Sequence, residues 1–457
     1  MTAHSWFDFL RRGPFAPPVQ GLVLSGGGAR VSFQLGALAY LYGHEIIAPT
    51  RIVGTSGGSI VATTLAQSLD PAGQAAALAE LDRTWMAMTG PEDMFVEQAW
   101  FTQVRAEAGG FRDLLAAQDP KAAAPGARAA ARARERQDAY TLIQQALEDD
   151  PSRGTSWSVT QAWQLLSVLP KIGRAGATLA ASLRGASLAQ SMFRPGPIVM
   201  RLLYESTFRE ERVRTSGVEL RIAMVGLNSG QLRFMRQDGR LVDRDNRPLP
   251  GEAGEVAYDL PLGVWASCAI PGVFKPVALG DEVYVDGGVR ENVPVEMAVT
   301  HLGVTQPYVV VASPPGVAPG DYADRDVISS VLRATSLTSD EAMVDEIAWA
   351  RAAGAVVIDP EVDVHDAMTV EPGLARLNHD YGYLRAAEEV LGADETARTL
   401  TRDLVTARLA LHRLPPDAGS EAARLRSRVG TLVARCDPAL LPPGADDWAC
   451  ADLASVC

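Results

Sequence analysis

Apolar and polar positions along the 457-residue chain change period several times, and each change predicts an element. Gly21 to Leu24 is a short apolar run, GLVL, ending in Ser25-Gly26-Gly27-Gly28. From Val31 the spacing turns helical, with Phe33, Leu35, Leu38 and Leu41 in VSFQLGALAYLY. Arg51 to Val53 begins a second short strand, followed by Gly54-Thr55-Ser56-Gly57-Gly58 and a helical run over Ser59 to Leu69. Two strand–turn–helix units in succession predict an α/β fold with parallel strands.

Residues from about Ala72 to Arg212 read as helical, including an Ala/Arg segment at Lys121 to Arg136 and an apolar stretch at Trp157 to Phe193. Strand signals return at Val218 to Val225. Asn228-Ser229-Gly230 makes a turn, and Gln231 to Met235 reads as the returning strand of a hairpin. Glu282 to Val285, followed by Asp286-Gly287-Gly288, is a third strand–turn unit. PYVVVA at Pro307 to Ala312 and AVVI at Ala355 to Ile358 read as further buried strands. After Gly392 two Arg-rich helical patterns follow, Arg398 to Leu414 and Ser420 to Ala434, each closed by a Pro-Pro pair. The expected organisation is an N-terminal arm over residues 1–20, a main domain over 21–392 with a helical insertion at about 85–200, and a helical appendage over 393–457. No internal repeat is visible.

Composition narrows the class. Apolar residues form 47% of the chain, enough for a sizeable core, and no run approaches the roughly 18 apolar residues of a spanning helix. The N-terminus lacks the long apolar stretch of a signal peptide, so a cytoplasmic protein is expected unless a dedicated secretion system exports it. A net charge of -13 repels nucleic acid and anionic bilayers alike, so nucleic acid is not an expected partner and any contact with a membrane needs a local basic patch. The four cysteines, Cys268, Cys436, Cys450 and Cys457, form neither a CxxC nor a Cys/His cluster. They read as reduced thiols, and no metal or cofactor is expected.

Three motifs carry chemistry. Gly54-x-Ser56-x-Gly58 has the form of a nucleophile elbow, in which glycines on both sides permit a tight turn that lifts the serine to a helix N-terminus. On its own the pattern also suits a flexible Gly/Ser turn. Gly26-Gly27-Gly28-x-Arg30 offers successive backbone N–H groups that converge on one anion, as an oxyanion hole requires. Arg30 would fix that loop or add positive potential. A dinucleotide site is the competing reading, but the G-x-G-x-x-G spacing fails at Val31 and no Walker lysine follows. Asp286-Gly287-Gly288 ends a strand on a carboxylate that can accept a serine proton, although a plain Asp-Gly turn looks the same. The six histidines, His4, His44, His301, His365, His379 and His412, are not presented as loop-borne bases, which leaves a Ser–His–Asp triad as the lesser reading.

In this order the three motifs resemble the patatin-like phospholipase family. ASCAIPGVFKPV at Ala266 to Val277 and YVDGGVRENVP at Tyr284 to Pro294 look like the family's segments before and around its aspartate. The hairpin at Val218 to Met235, Ile358-Asp359-Pro360 and Gly382 to Leu391 also fit, so the likeness covers about Gly21 to Leu391. It implies a three-layer α/β fold around a central, mostly parallel sheet. It also implies a Ser–Asp dyad of Ser56 and Asp286, with the amides of Gly27, Gly28 and Gly57 forming the oxyanion hole. Gly54, Gly58, Gly287 and Gly288 would be supporting positions. One departure is Val31, where the family loop usually carries glycine after the arginine.

The implied activity is hydrolysis of lipid carboxylic esters through an acyl-enzyme. A general serine esterase or acyltransferase, a signal-activated effector of low basal activity, and a non-catalytic binding module are the alternatives. Arg128, Arg132 and Arg136 would share one helical face, beside an apolar stretch containing Trp157, Trp163 and Leu169. That combination suits a peripheral contact with anionic lipid, and equally a solvated face beside packed helices.

Overall fold

The computed structural model describes residues 18–102, 191–204, 208–316, 327–415 and 417–449. They fall into two compact units: one runs up to Val96 and resumes at Pro195, and the other lies between Glu97 and Arg194.

A mixed sheet organises the first unit. Its strands are β1 (Gln20–Leu24), β2 (Arg51–Thr55), β5 (Glu219–Gly226), β6 (Leu232–Arg236), β7 (Leu241–Asp243), β8 (Val277–Leu279), β9 (Glu282–Asp286), β10 (Gln306–Val310) and β11 (Val356–Ile358). The order is β11-β10-β1-β2-β5-β6-β7. The run from β11 to β5 is parallel, and β5–β6–β7 is an antiparallel meander. Buried on both faces, the parallel strands are apolar at their centres; Leu22, Val23, Leu24, Ile52 and Val53 are all 0% exposed.

The register on β5 brings the ends of two strands together. β2 pairs with the first part of β5, ending at Thr55 opposite Ala223. β9 pairs antiparallel with the rest, starting with Asp286 opposite Met224. Since β6 occupies the other edge of β5, β2 and β9 meet end to end along one edge. The residue after Thr55 and the last residue of β9 therefore lie side by side.

Helices cover both faces of the sheet, as the α/β class expects. α1 (Val31–Gly43) and α2 (Gly57–Leu65) start at the carboxyl ends of β1 and β2. α3 (Pro71–Met86) begins with Pro71 behind Asp70, whose side chain accepts the Gly73 N–H. α4 (Pro197–Tyr204), α5 (Glu210–Thr215) and α6 (Leu260–Ser267) follow on that side of the chain order. α7 (Val327–Ala352) precedes β11, and α8 (Pro372–Leu391) follows it. α8 starts on Glu371, which accepts from Gly373 and Leu374, and stops at Gly392 with φ 68°.

α1 has almost no exposed face, because α8 packs along it. The two backbones touch: a Cβ at Gly36 would lie 1.8 Å from the His379 carbonyl oxygen, and one at Gly382 would lie 1.9 Å from that of Phe33. Phe33 and Tyr40 meet Tyr381 and Tyr383 of α8 edge-on in this contact, and Phe33, Leu35, Leu38 and Leu41 are all buried, each worth about 1.5–3 kcal/mol.

α9 (Glu395–His412) and α10 (Gly419–Arg435) pair through Leu404, Ala407, Val429, Leu432, Val433 and Cys436. α9 also reaches the rest of the unit with charge, through Arg408 on Asp380 at 2.7 Å and Arg402 on Glu361 at 3.1 Å. Cys268 and Cys436 are both buried, unpaired thiols.

The structure differs from the sequence reading in short elements. The segment read as helical from Ala72 to Arg212 contains two three-residue strands, β3 (Phe95–Glu97) and β4 (Phe193–Pro195), which pair with each other. β7 and β8 are also three residues long, too short to show an alternation. α7 escapes the pattern because serine, threonine and acidic residues interrupt its apolar spacing. The basic stripe at Arg128, Arg132 and Arg136 and the Trp157 to Leu169 stretch lie outside the described residues, as do His4, Cys450 and Cys457.

Candidate active site

The turn between β2 and α2 is as sharp as the glycine spacing implies. Ser56 sits at φ 50°, ψ -130°, a conformation that costs a non-glycine residue about 1–3 kcal/mol. Its surroundings hold it there. The Ser56 N–H donates to Ser267 Oγ at 2.9 Å, and the Ser56 carbonyl accepts from Ser59 Oγ at 2.6 Å. The flanking glycines are needed for close approach: a Cβ at Gly58 would lie 2.4 Å from the Ser25 carbonyl oxygen, and one at Gly54 would lie 2.7 Å from that of Gly58.

The register on β5 brings Asp286 to this serine. The Asp286 carboxylate comes next to the Ser56 hydroxyl and accepts the Gly288 N–H at 2.8 Å. Gly287 follows the aspartate with its α-carbon tight against Ala223; a Cβ there would lie 2.6 Å from the Ala223 carbonyl oxygen. Asp286 is 5% exposed and Ser56 6%. Burial pushes the Asp286 carboxyl up to about 6, against the neighbouring Ser56 hydroxyl and Gly288 N–H, which pull it down. Nearby, burial and the Asp286 charge together push the Cys268 thiol well above its usual range.

The glycine loop after β1 lies beside the elbow, because β1 and β2 are parallel neighbours. Gly28 has φ 55°, and Ala29 donates its N–H to the Ala367 carbonyl at 2.8 Å. The N–H groups of Gly27, Gly28 and Gly57 donate to no protein acceptor among the described residues. Gly57 and Gly28 are close: a Cβ at Gly57 would lie 3.5 Å from the Gly28 nitrogen. Gly26 does not belong with these donors. Its N–H is taken by Asn292, through Oδ1 at 3.0 Å and the backbone carbonyl at 3.3 Å. Three consecutive glycines suggested three converging N–H groups, but the first faces the protein.

Arg30 fixes the loop and contributes no free charge. Its guanidinium donates to both Asp363 oxygens at 2.8 and 2.9 Å, to Ser313 Oγ at 3.2 Å and to the His365 carbonyl at 2.6 Å. Val31, the departure from the family loop, packs a methyl over Gly57: a Cβ at Gly57 would lie 2.6 Å from Val31 Cγ2. The side chain thus forms part of the floor beneath the elbow.

No histidine among the described residues bonds to Ser56 or Asp286. His44 meets Tyr383, His379 meets Asp82 and His412 meets Glu371. His365 does lie on a loop, contrary to the sequence reading. It is buried with Nδ1 on the Asp366 carbonyl, and burial lowers its imidazole below the usual range. No group of three His, Cys, Asp or Glu side chains among the described residues is arranged to hold a metal ion, and no described helix is long and apolar enough to cross a membrane.

Residues that the sequence reading missed are Asn292, Ser267, Ser59 and Asp363. Asn292 lies within the YVDGGVRENVP segment already singled out, but nothing in its spacing marks a contact with Gly26.

A parallel-led α/β sheet with a serine elbow and a strand-end aspartate defines the class, and comparison of sequences gives its family. Residues 22–299 match the profile of the patatin-like phospholipases, well over half of the chain, and the protein belongs to that family. No curated protein matches by sequence. Among solved structures, VipD from Legionella pneumophila is similar at 18% identity and a TM-score of 0.30, over 93% of this chain and 82% of that one. Human GIVD cytosolic phospholipase A2 is similar at 13% identity and a TM-score of 0.29, over 79% of this chain and 46% of its own. ExoU from the type III secretion system of Pseudomonas aeruginosa, in complex with SpcU, is similar at 14% identity and a TM-score of 0.21, over 93% and 70%.

Proposed function

We propose that the protein is a serine acyl hydrolase of lipid esters that works through a Ser56–Asp286 dyad. The observation that carries the reading is the end-to-end meeting of β2 and β9 along β5, which sets Ser56 beside the buried Asp286 carboxylate, next to three N–H groups without protein partners among the described residues. Ser56 Oγ attacks the ester carbonyl as its proton passes to Asp286. The carbonyl oxygen gains negative charge and is met by the amides of Gly27, Gly28 and Gly57. Such a donor is worth about 10²–10³ in rate. The tetrahedral species collapses, the C–O bond to the alcohol breaks, and the leaving oxygen takes the proton from Asp286. Water then attacks the acyl-enzyme, again losing a proton to Asp286, and the fatty acid leaves as Ser56 recovers its hydrogen. A carboxyl raised to about 6 suits both directions of this transfer near neutral pH.

The family supports lipid as the ester class, with a peripheral membrane contact as the expected mode of access. A fluorophosphonate reagent should label the wild type and leave Ser56→Ala unlabelled; equal labelling would sink the assignment. A panel of phospholipids and lysophospholipids, with products identified by mass, then gives the head group and acyl position. Acyl transfer to an added alcohol in place of free fatty acid would mark the protein as an acyltransferase.

A further inference from the structure

Asn292 lies where the three parts of the site converge. Besides taking the Gly26 N–H, its Oδ1 lies where a Cβ on Gly26 would be 2.5 Å from it and 3.0 Å from Ser56 Cβ. A Cβ on Gly288 would be 3.2 Å from both Asn292 Oδ1 and Asp286 Oδ1, so those oxygens are no more than about 6.4 Å apart. Asn292 is itself held from α7. The N–H groups of Asn292 and Val293 donate to the Glu346 carboxylate at 3.1 and 2.7 Å, and Asn292 Nδ2 donates to Met343 Sδ at 3.3 Å. On the other side, Thr55 Oγ1, next to the nucleophile, donates to the Glu291 carbonyl at 3.3 Å.

We propose that Asn292 is a positioning residue of the hydrolytic site: its amide oxygen anchors Gly26, which aims the Gly27 and Gly28 amides at the reacting carbonyl, while Glu346 anchors Asn292. The proposal rests on the Ser–Asp reading above. A run of three glycines has the least restrained backbone of any sequence, so an oxyanion loop built from it needs an external pin. Arg30 and Ala29 supply one downstream, through Asp363 and Ala367. Asn292 supplies the upstream one. A carboxamide fits this place better than a carboxylate of the same shape. Both accept the Gly26 N–H, but a second negative charge this close would push the Asp286 carboxyl further up and take the base away at neutral pH.

The test compares the full-length wild type with Ser56→Ala, Asn292→Ala, Asn292→Asp and Glu346→Ala on p-nitrophenyl butyrate across pH, with thermal melts alongside. Loss of Ser56→Ala activity establishes the parent reading in the same assay; an active Ser56→Ala overturns that reading and this proposal with it. Asn292→Ala should lower kcat by about 10- to 100-fold with KM nearly unchanged, since misplacement of a donor by about an ångström has that effect. Its acid limb should stay where the wild type has it. Asn292→Asp keeps the acceptor, so it should regain much of the lost rate at high pH while its acid limb moves up by about one unit or more. Glu346→Ala should lower kcat in the same manner as Asn292→Ala and by less. If Asn292→Ala melts without cooperativity, Asn292→Asp decides the matter by its limb. Wild-type kcat in Asn292→Ala, a change confined to KM, or an Asn292→Asp profile with an unmoved limb would overturn the assignment.

Discussion

Replacing Asp286 by asparagine should make the protein more stable at neutral pH while abolishing turnover. The reason is burial: the carboxyl titrates at about 6 in the fold against an ordinary 3.8, and it is 5% exposed. Its folded-state value is raised, so the fold binds the proton more tightly than the unfolded chain does. The stability this gives is fully present below about 3.8 and is lost as pH rises through about 6. Two pH units at about 1.4 kcal/mol each make the ionised Asp286 a burden of about 3 kcal/mol at pH 7.5. Asparagine removes that charge and can still accept from Gly288 and Ser56, but its NH₂ group needs a partner, so a net gain of about 1–3 kcal/mol is expected. The assay is the difference in melting temperature between variant and wild type at several pH values. It should be positive at pH 7.5 and shrink toward zero near pH 4. In parallel, the wild-type kcat/KM should fall tenfold per unit below about pH 6, because the base must be ionised. A difference that is negative at pH 7.5, or the same at both ends of the range, would refute the argument that burial sets the carboxyl's affinity for its proton.

Ser56→Gly should also melt higher than wild type, by an amount equivalent to about 1 kcal/mol, since glycine adopts positive φ without strain; activity should vanish, and a lower melting temperature would count against strain at the elbow. Gly58→Ala forces a methyl to within 2.4 Å of the Ser25 carbonyl oxygen, so it should cost several kcal/mol and yield little folded protein on expression. Replacing Arg128, Arg132 and Arg136 by glutamine should weaken hydrolysis of anionic vesicles, by up to about 3 kcal/mol of docking energy, and spare p-nitrophenyl butyrate. Added salt should shrink that vesicle effect, and equal losses on both substrates would assign the arginines a structural role.

Local chemistry made much of this legible. An apolar run, a glycine turn and a 3.6-residue period are all short-range, so β1–α1 and β2–α2 could be read directly, with Ser56 between two of them. Asp286 was readable as a strand end followed by glycines, but its meeting with Ser56 depends on where β2 stops and β9 begins along β5, which no local pattern encodes. The same limit hid Asn292 and Glu346, whose partners lie 266 and 54 residues away. Gly26 was misassigned for a related reason. A glycine run shows what a backbone can do, whereas which amide turns outward is settled by neighbours such as Asn292. His365 looked like part of a plain polar stretch because its burial comes from the chain folding back onto Arg30.

The profile that places the chain in its family stops at residue 299, and the fold does not respect that boundary. β10, which flanks β1 in the sheet, comes after it, as do the Asp363–Ala367 loop that grips Arg30 and the α8 helix interlocked with α1 at Gly36 and Gly382. An expression fragment trimmed to the recognisable segment would present an open β1 edge and the apolar side of α1 to solvent, the features that drive chains to aggregate. Anyone seeking a smaller catalytic fragment should therefore cut beyond α8. A chimera made by swapping residues 22–299 into a relative would inherit the nucleophile and the aspartate, yet borrow the brace for its oxyanion loop from a foreign backbone.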